Sequence, residues 1–260
     1  MVGYLMRLNQ LIAHNLPCSR RQADKLIKEG KVKINHKLAS FATPFSPYDK
    51  IFVEGRMLNS YEKRGCTVLV YHKPKGELVS RIDHRGRKTI FESLESKFRH
   101  FTPIGRLDFA SMGLLLLSDS KQVVNALMHS SLERVYLVKI QGNITQTMLE
   151  AMQTGLEIKG LEGAHPKSKH THMHIAPMAC QILKNHRNYS KIKLTLQEGH
   201  NREIRRFFAH FKKEVLDLRR VSFGFVSLNA LPVGKARYLN PKEYKQLHQF
   251  LNNSNLSLTS

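Results

Sequence analysis

A glycine-bounded turn that carries a carboxylate and leads into a strongly apolar run is the feature that most constrains this fold. Gly105-Arg106-Leu107-Asp108 is followed by residues 109–118, which contain four consecutive leucines. A run of this kind is typical of a buried strand or core segment. The sequence therefore predicts a carboxylate at the edge of the core, beside a guanidinium that favours its charged form. Taken alone, the segment also fits an ordinary turn in which Asp108 caps or pairs locally.

The charge of the chain indicates the class of partner. Lys and Arg number 42, and Asp and Glu 20, among 260 residues, which gives a formal net charge of +22. Residues 1–60 carry 10 basic and 4 acidic side chains, so this part and the remainder are both basic. Such a field predicts a polyanionic partner, most simply nucleic acid, with salt-dependent binding. A membrane-surface protein is the alternative, but no long amphipathic basic helix supports it.

The compartment is predicted from segments that the sequence does not contain. No stretch approaches the length needed to span a bilayer, and the first residues lack the layout of a secretory signal. Cys18, Cys66 and Cys180 are far apart and outside any paired ligand spacing, which favours reduced thiols over a disulfide or zinc site. We expect a cytoplasmic monomer that binds no membrane.

The first 58 residues have the pattern of a small domain. Helical spacing over residues 6–15 is followed by a second helix that begins at Ser19, with Gln22 completing a capping box. Short strands are predicted at residues 31–34 and 49–53, and a linker at 55–65. The second helix carries basic residues suited to RNA phosphates: Arg20, Arg21, Lys25 and Lys28. A solvated structural face is the alternative for these four.

A larger second domain is predicted at residues 66–250, and a flexible tail at residues 251–260. A strand at 66–71 runs into the turn Lys73-Pro74-Lys75-Gly76. Helices are expected at 89–98, 121–129 and 145–154, and further strands at 134–140, 175–182, 191–196, 216–221 and 223–228. Helices and strands are both expected here, and we predict the α+β class for the chain.

Two later segments carry candidate site residues. Residues 134–140 alternate as a strand that places Tyr136 on the same face as Arg134 and Val138, although a strand aromatic is also chosen for packing alone. Further on, residues 202–208 follow a strand and begin a helix. The i, i+3, i+4 spacing there predicts a shared face for Arg202, Arg205 and Arg206. Three guanidiniums in this position suit phosphates, or one of them pairs with a buried carboxylate.

The histidine-rich stretch at residues 165–174 invites a metal interpretation, since imidazoles at alternate positions share a face. No cysteine or carboxylate stands at a matching distance, and Pro, Ser and Lys mark the stretch as a loop. We therefore predict a basic loop near RNA and no metal. Phosphate-cradling glycine loops, nucleophile elbows and a second catalytic carboxylate are also missing from the motifs, which leaves nucleotide hydrolysis, serine-type acyl transfer and glycoside hydrolysis unsupported.

The remaining motifs, taken in order, resemble those of the pseudouridine synthases that act on small-subunit and large-subunit ribosomal RNA. The resemblance spans nearly the whole chain. At the amino terminus, Ser19-Arg20-Arg21-Gln22-Ala23 is similar to the RNA-binding module first known from a small-subunit ribosomal protein. The catalytic motifs are Lys73-Pro74-Lys75-Gly76, Gly105-Arg106-Leu107-Asp108, Tyr136-Leu137-Val138 and Glu198-Gly199-His200-Asn201-Arg202-Glu203-Ile204-Arg205-Arg206.

The resemblance implies an isomerase that converts uridine to pseudouridine on a mixed, largely antiparallel sheet flanked by helices. Asp108 would attack the anomeric carbon of the target nucleotide, or promote departure of uracil through a glycal-like intermediate. Arg205 would pair with Asp108, and Tyr136 would pack on the flipped base. The substrate-binding residues would be Lys73, Arg106, Arg202, Ile204 and Arg206. An isomerisation consumes nothing, so no cofactor is expected.

The motif at 198–206 favours the large-subunit branch, with ribosomal RNA or a ribosomal precursor particle as partner. His200 stands where the family usually has Arg, and Ala236 where many relatives carry an aromatic residue. Two alternatives remain open: a non-catalytic RNA-binding assembly factor, or the same chemistry on small-subunit ribosomal RNA or on transfer RNA.

Overall fold

The chain forms two compact units, residues 1–65 and residues 66–260. The computed structural model describes residues 7–16, 18–45, 49–58, 66–160, 163–164 and 171–256. Within these residues, no helix combines the length and the apolar character that crossing a membrane requires.

The first unit packs two helices on a small antiparallel sheet. The helices are α1 (Leu8–Asn15) and α2 (Arg20–Lys28), and Ser19 caps α2 in the predicted capping box with Gln22. The sheet has the order β2-β1-β3-β4, with β1 at Val32–Ile34, β2 at Lys37–Leu38, β3 at Ile51–Val53 and β4 at Arg56–Met57. Strand β4 lies where a linker was predicted; residues 59–65 of that linker lie outside the described residues.

The second unit is built on a mixed sheet of nine strands among the described residues. Its path is β11-β12-β8-β13-β7-β5-β15, with β14 paired to β13 and β6 to β7. The strands are β5 (Val68–Lys73), β6 (Thr102–Ile104), β7 (Met112–Ser118), β8 (Arg134–Gln141), β11 (Ala179–Lys184), β12 (Tyr189–Leu196), β13 (Val215–Phe223), β14 (Val226–Ser227) and β15 (Ala236–Tyr238). A separate hairpin pairs β9 (Leu156–Lys159) with β10 (His172–Ile175).

Helices cover both faces of this sheet. One face packs against α3 (Ile90–Ser93), α5 (Gln146–Thr154) and α6 (Glu203–His210). The other packs against α4 (Lys121–Met128) and α7 (Pro241–Leu256). The α+β class and the mixed, largely antiparallel sheet are therefore confirmed.

One parallel pairing joins the two halves of the sheet. Strand β13 pairs antiparallel with β8 but parallel with β7, through Arg219 opposite Met112 and Arg220 opposite Gly113. A Cβ on Gly113 would lie 2.2 Å from the carbonyl oxygen of Arg220, and its φ is +113°. Only glycine fits there, because both the space and the backbone conformation exclude a side chain.

Some predicted elements have different bounds. The helix expected at 89–98 is α3 followed by a separate 3₁₀ turn at Ser96–Phe98. The strand expected at 175–182 is interrupted at Pro177, so that β10 ends at Ile175 and β11 begins at Ala179. Residues 251–256, expected to be a flexible tail, belong to α7, and residues 257–260 lie outside the described residues.

Candidate active site

Asp108 projects from a tight turn between β6 and β7. Gly105 has a φ of +73°, which lets the chain reverse directly after β6, and Leu107 is buried and anchors the turn. The main-chain N–H of Ser111 donates to the carbonyl oxygen of Asp108 at 3.0 Å. The Asp108 side chain is 29% exposed, so its carboxylate is accessible from the cavity in front of it.

Two arginines hold the carboxylate of Asp108. Arg202 Nη1 lies 3.5 Å and Arg205 Nε 3.6 Å from the same oxygen, Oδ2. Both separations exceed the usual hydrogen-bond length of about 2.7–3.2 Å, so the attraction is mainly between charges. Burial, and then the charge of Arg202, lower the pKa of Arg205 from its ordinary value.

Each arginine is fixed by main-chain carbonyls. Arg205 donates to the carbonyl oxygens of Val215 at 3.2 Å and Ala110 at 3.1 Å, and Arg202 Nε donates to that of Gly163 at 2.8 Å. Arg202 has a φ of +56°, a left-handed conformation that is uncommon for a residue with a side chain. It precedes α6 rather than belonging to it, so its direction does not follow helical spacing.

Glu203 stabilises the start of α6 from inside the protein. Its carboxylate accepts a hydrogen bond from the main-chain N–H of His200 at 3.0 Å. Burial raises the pKa of Glu203 above its ordinary value. The His200 ring is exposed, and its Nε2 lies 2.7 Å from the carboxylate of Glu198. His200, which stands where the family usually has Arg, therefore contacts a residue only two positions away in the sequence.

Lys73, the last residue of β5, holds the Asp108 turn in place from inside the protein. Its ammonium group is fully buried and donates to the carbonyl oxygens of Pro74 at 2.9 Å, Asp108 at 3.1 Å and Ser111 at 2.9 Å. Burial lowers the pKa of Lys73 to about 8. Lys73 was grouped with the substrate-binding residues, but its three donors are already used by main-chain groups, and it does not line the cavity.

A cavity of about 850 Å³ opens in front of Asp108. Among the predicted site residues, those that line it are Asp108, Tyr136, Arg106, Arg202, Ile204 and Arg205. Tyr136 is 9% exposed and Ile204 is buried, so together they give the cavity an apolar wall. Arg106 is exposed, and the ion pairs of Asp108 are with Arg202 and Arg205 instead.

Arg206 lies away from this cavity. It is 2% exposed, and its Nη2 donates to the carbonyl oxygen of Gly160 at 2.9 Å. The predicted shared face of three arginines is therefore wrong for Arg206, because it follows Arg205 directly in α6 and consecutive helical residues point about 100° apart.

Two cavity-lining arginines were not assigned from the sequence. Arg134 and Arg220 come from β8 and β13 and are both buried. Arg134 stands two residues before Tyr136 on the same strand face, a signal that the alternation already contained. Arg220 is found only through the strand pairing, because it lies opposite Tyr136.

The histidine-rich stretch is only partly described. Residues 165–170 lie outside the described residues, whereas His172 and His174 belong to strand β10 rather than to a loop. His174 Nδ1 lies 2.6 Å from the carboxylate of Glu157 across the hairpin.

In the first unit, the four predicted RNA-contacting side chains are all exposed on α2: Arg20, Arg21, Lys25 and Lys28. Ala23 and Ile27 of the same helix are buried, so the basic residues occupy its outer side. Lys25 also lies 3.7 Å from Glu29, an exposed pair of little energetic weight.

Comparison with known proteins agrees, for both units, with the resemblance found in the sequence motifs. Residues 67–210 match the family described as RNA pseudouridylate synthase, and residues 6–40 match the S4 domain. A solved structure described as a pseudouridylate synthase superposes with a TM-score of 0.63 at 27% identity, covering 93% of this chain and 99% of that one.

Curated relatives match along nearly the whole chain. An uncharacterized RNA pseudouridine synthase of Helicobacter pylori strain J99 is 55% identical, with 97% of each chain covered. The ribosomal large subunit pseudouridine synthase B of Bacillus subtilis is 34% identical over 93% of this chain and 95% of its own. The dual-specificity RNA pseudouridine synthase RluF of Escherichia coli K12 is 33% identical over 96% and 80%. The chain belongs to the RNA pseudouridylate synthase family, enzymes that isomerise uridine in RNA, and carries an S4 RNA-binding domain ahead of its catalytic part.

Proposed function

We propose that this enzyme converts a uridine of large-subunit ribosomal RNA to pseudouridine, with Asp108 as the nucleophile. The observation that carries the proposal is the position of the Asp108 carboxylate, in a cavity beside Tyr136 and within 3.6 Å of two guanidinium groups. The RNA class is supported by the relative of Bacillus subtilis, whose name assigns it to the large ribosomal subunit.

The chemistry begins with an attack by Asp108. A carboxylate oxygen forms a bond to C1′ of the target nucleotide while the C1′–N1 bond breaks, and the electron pair leaves on N1 of the uracil. The detached uracil turns so that C5 faces C1′. A C5–C1′ bond then forms, the carboxylate leaves with its electron pair, C5 loses its proton and N1 gains one. Atoms and charge balance, so the product is an isomer of the substrate. In the glycal route, the same carboxylate promotes uracil departure instead.

Arg205 and Arg202 serve this sequence by holding the carboxylate. Their main-chain contacts fix the guanidiniums before substrate arrives, so no reorganisation is needed when charge moves on to and off Asp108. Tyr136 offers a flat surface for the base. The target must leave its stack to reach Asp108, and phosphate contacts elsewhere on a chain of net charge +22 offset the cost of unstacking.

Binding in this proposal involves both the S4 domain and the catalytic domain. Exposed Arg20, Arg21, Lys25 and Lys28 contact phosphates, and Arg106 and Arg202 contact the RNA near the target. A single chain supplies Asp108, Arg205 and Tyr136, so we take the enzyme as a monomer. It acts in the cytoplasm, where bacterial ribosomal RNA is found.

Pseudouridine mapping of all cellular RNA tests this function. A strain that lacks the gene is compared with its parent and with strains that express either the wild-type protein or Asp108→Asn. We expect one or more large-subunit sites to be lost, then restored by the wild-type protein alone. Loss of a transfer-RNA or small-subunit site instead would correct the substrate class. If no site is lost, or if Asp108→Asn restores it, the proposed chemistry is wrong.

A further inference from the structure

Arg220 lies in the wall of the cavity with part of its guanidinium unsatisfied. The residue is 3% exposed, and its Nε donates to the carbonyl oxygen of Leu114 at 2.7 Å. Its Nη2 is buried and, among the described residues, has no hydrogen-bond partner. A buried donor without an acceptor costs free energy, more so on a charged group. An acceptor that enters the cavity would remove this cost.

Arg134 and Arg205, which also line the cavity, each have an acceptor or an anion beside them. Arg134 donates to the carbonyl oxygens of Ser130, Leu132 and Gln197, and these contacts fix it as part of the wall. Arg205 Nε also has no hydrogen-bond partner among the residues that the structure describes, but it lies beside the carboxylate of Asp108. Arg220 is therefore the buried cavity arginine whose open donor has no anion next to it within the described part of the chain.

Strand register determines what an occupant of the cavity would present to Arg220. Arg220 lies directly opposite Tyr136 in the antiparallel pair of β13 and β8. Directly opposed residues point to the same face of a sheet, with Cβ atoms about 4.5–5.5 Å apart. Leu218, two residues earlier on β13, also lines the cavity. A planar base packed on Tyr136 would therefore bring its edge towards the guanidinium of Arg220.

We propose that Arg220 Nη2 donates a hydrogen bond to a carbonyl oxygen of the target uracil and stabilises the negative charge of the detached base. This inference rests on the proposed function. When the C1′–N1 bond breaks, the electron pair on N1 is delocalised on to the two carbonyl oxygens of uracil. A fixed cationic donor lowers the energy of that anion until the C5–C1′ bond forms and the C5 proton leaves.

The position of the donor favours a base over a phosphate. Nη2 is buried and belongs to a residue that lies opposite Tyr136 in the sheet, whereas the exposed arginines of the cavity rim, such as Arg106, are the groups that a hydrated phosphodiester meets first. The carbonyl oxygen of uracil is also uncharged until the C1′–N1 bond breaks. Unlike a phosphate, it therefore brings no negative charge into the buried wall when the substrate binds.

The first test compares single-turnover rates. Ribosomal RNA from the deletion strain, labelled with tritium at C5 of uridine, releases tritium as pseudouridine forms. We expect Arg220→Met to slow release about 100-fold and Arg220→Lys about 10-fold. RNA affinity in filter binding should change less than about twofold. Arg219→Lys is the matched control, since Arg219 lies next in the strand, faces away from the cavity and should keep the wild-type rate.

The second test separates a uracil contact from a structural role. Stem-loops around the mapped uridine carry 2-thiouridine or 4-thiouridine at the target, because sulfur is a weak hydrogen-bond acceptor. One of the two substitutions should slow the wild-type enzyme about 10-fold and cause no further loss in Arg220→Met. The inference would be overturned if a substitution slowed the wild-type enzyme and Arg220→Met equally, or if neither substitution slowed the wild-type enzyme. The second outcome needs only the wild-type enzyme, so it counts even if the Arg220 variants do not fold.

The outcomes also distinguish this inference from the function on which it rests. A wild-type protein that releases no tritium from any RNA overturns both. An active wild-type protein with an equally fast Arg220→Met variant overturns the uracil contact alone. A variant that loses RNA affinity while keeping its rate at saturation would assign Arg220 to a phosphate instead.

Discussion

The ammonium group of Lys73 donates a hydrogen bond to the main-chain carbonyl oxygen of Asp108 at 3.1 Å. The end of β5 thereby holds the turn that presents the carboxylate, while Arg202 and Arg205 hold the carboxylate itself. The backbone and the side chain of one residue are thus fixed by different elements. Substitutions in each element test these supports separately.

Asp108→Asn should abolish tritium release while leaving RNA affinity unchanged. Asparagine has nearly the same shape but is a poor nucleophile, and we expect a loss of about 10⁴-fold or more. Asp119→Asn is the control, because Asp119 does not line the cavity and its carboxylate accepts a hydrogen bond from the main-chain N–H of Thr67 at 2.8 Å. Pseudouridine formation by Asp108→Asn at more than a few per cent of the wild-type rate would rule out the nucleophile assignment.

Arg205→Lys should lower kcat more than Arg202→Lys does. Arg205 is the more buried of the two, with its side chain 12% against 23% exposed, and it also donates to Ala110 and Val215. Lysine cannot reproduce a planar guanidinium that serves several acceptors. We expect about 100-fold loss of kcat for Arg205→Lys and about 10-fold for Arg202→Lys. Steady-state kinetics in which Arg202→Lys proves more damaging would contradict this order.

Lys73 gives stability a specific dependence on pH. Burial lowers its pKa to about 8 in the folded protein, against 10.5 for an ordinary lysine. Between these values the unfolded chain binds a proton that the folded chain has lost, so this group makes folding more favourable as pH rises from about 8 to about 10.5. In urea unfolding, the free energy of unfolding of the wild type relative to that of Lys73→Met should rise as the pH increases across this window. A difference that does not change with pH would contradict the prediction.

Gly113→Ala and Gly105→Ala should differ widely in stability, although both glycines have positive φ. A Cβ at Gly113 would lie 2.2 Å from the backbone of Arg220, and the parallel pairing must separate to admit it. A Cβ at Gly105 would have no atom of the described, non-adjacent residues within 4 Å, so the substitution adds backbone strain alone. We expect the free energy of unfolding to fall by about 3–5 kcal/mol for Gly113→Ala and about 1 kcal/mol for Gly105→Ala. Similar losses in urea unfolding would show that the close approach is not a constraint.

Neutralising the basic side of α2 should flatten the salt dependence of RNA binding. Replacing Arg20, Arg21, Lys25 and Lys28 by Gln removes four exposed cations. For each phosphate that the protein no longer neutralises, the slope of log affinity against log salt decreases in magnitude by about 0.7–0.9. Lys31→Gln is the control, because Lys31 is engaged by Glu29 at 2.9 Å and Glu54 at 3.2 Å. An unchanged slope in the quadruple variant would place the RNA-binding surface elsewhere.

The sequence predicted those parts of the molecule that local patterns encode. Alternation placed Tyr136 on the same face of β8 as Arg134 and Val138, which the structure shows to be the buried face, and the capping box at Ser19 and Gln22 fixed the start of α2. The ordered motifs predicted that Asp108 and Arg205 lie together, and the structure brings them to 3.6 Å.

Features that depend on distant main-chain groups were not predictable in this way. Lys73 is buried because carbonyl groups of residues 108 and 111 arrive at its ammonium group, and no side-chain pattern shows this. Arg206 was misplaced because consecutive residues of a helix point about 100° apart, which turns Arg206 away from the cavity and towards the carbonyl oxygen of Gly160. Arg220 gained a role only from the register of β13 against β8.

The central position of β13 also determines when the enzyme becomes active during its synthesis. Strands β5 and β7 pair directly and are made early, and β8 soon after, yet β8 is joined to β7 through β13, which begins only at Val215. Pairing over such a long sequence separation is a slow step in folding. On the ribosome, the S4 domain can therefore fold and bind RNA while the cavity does not yet exist. Until residue 223 has emerged from the ribosome, the nascent chain is an RNA-binding protein without a catalytic centre.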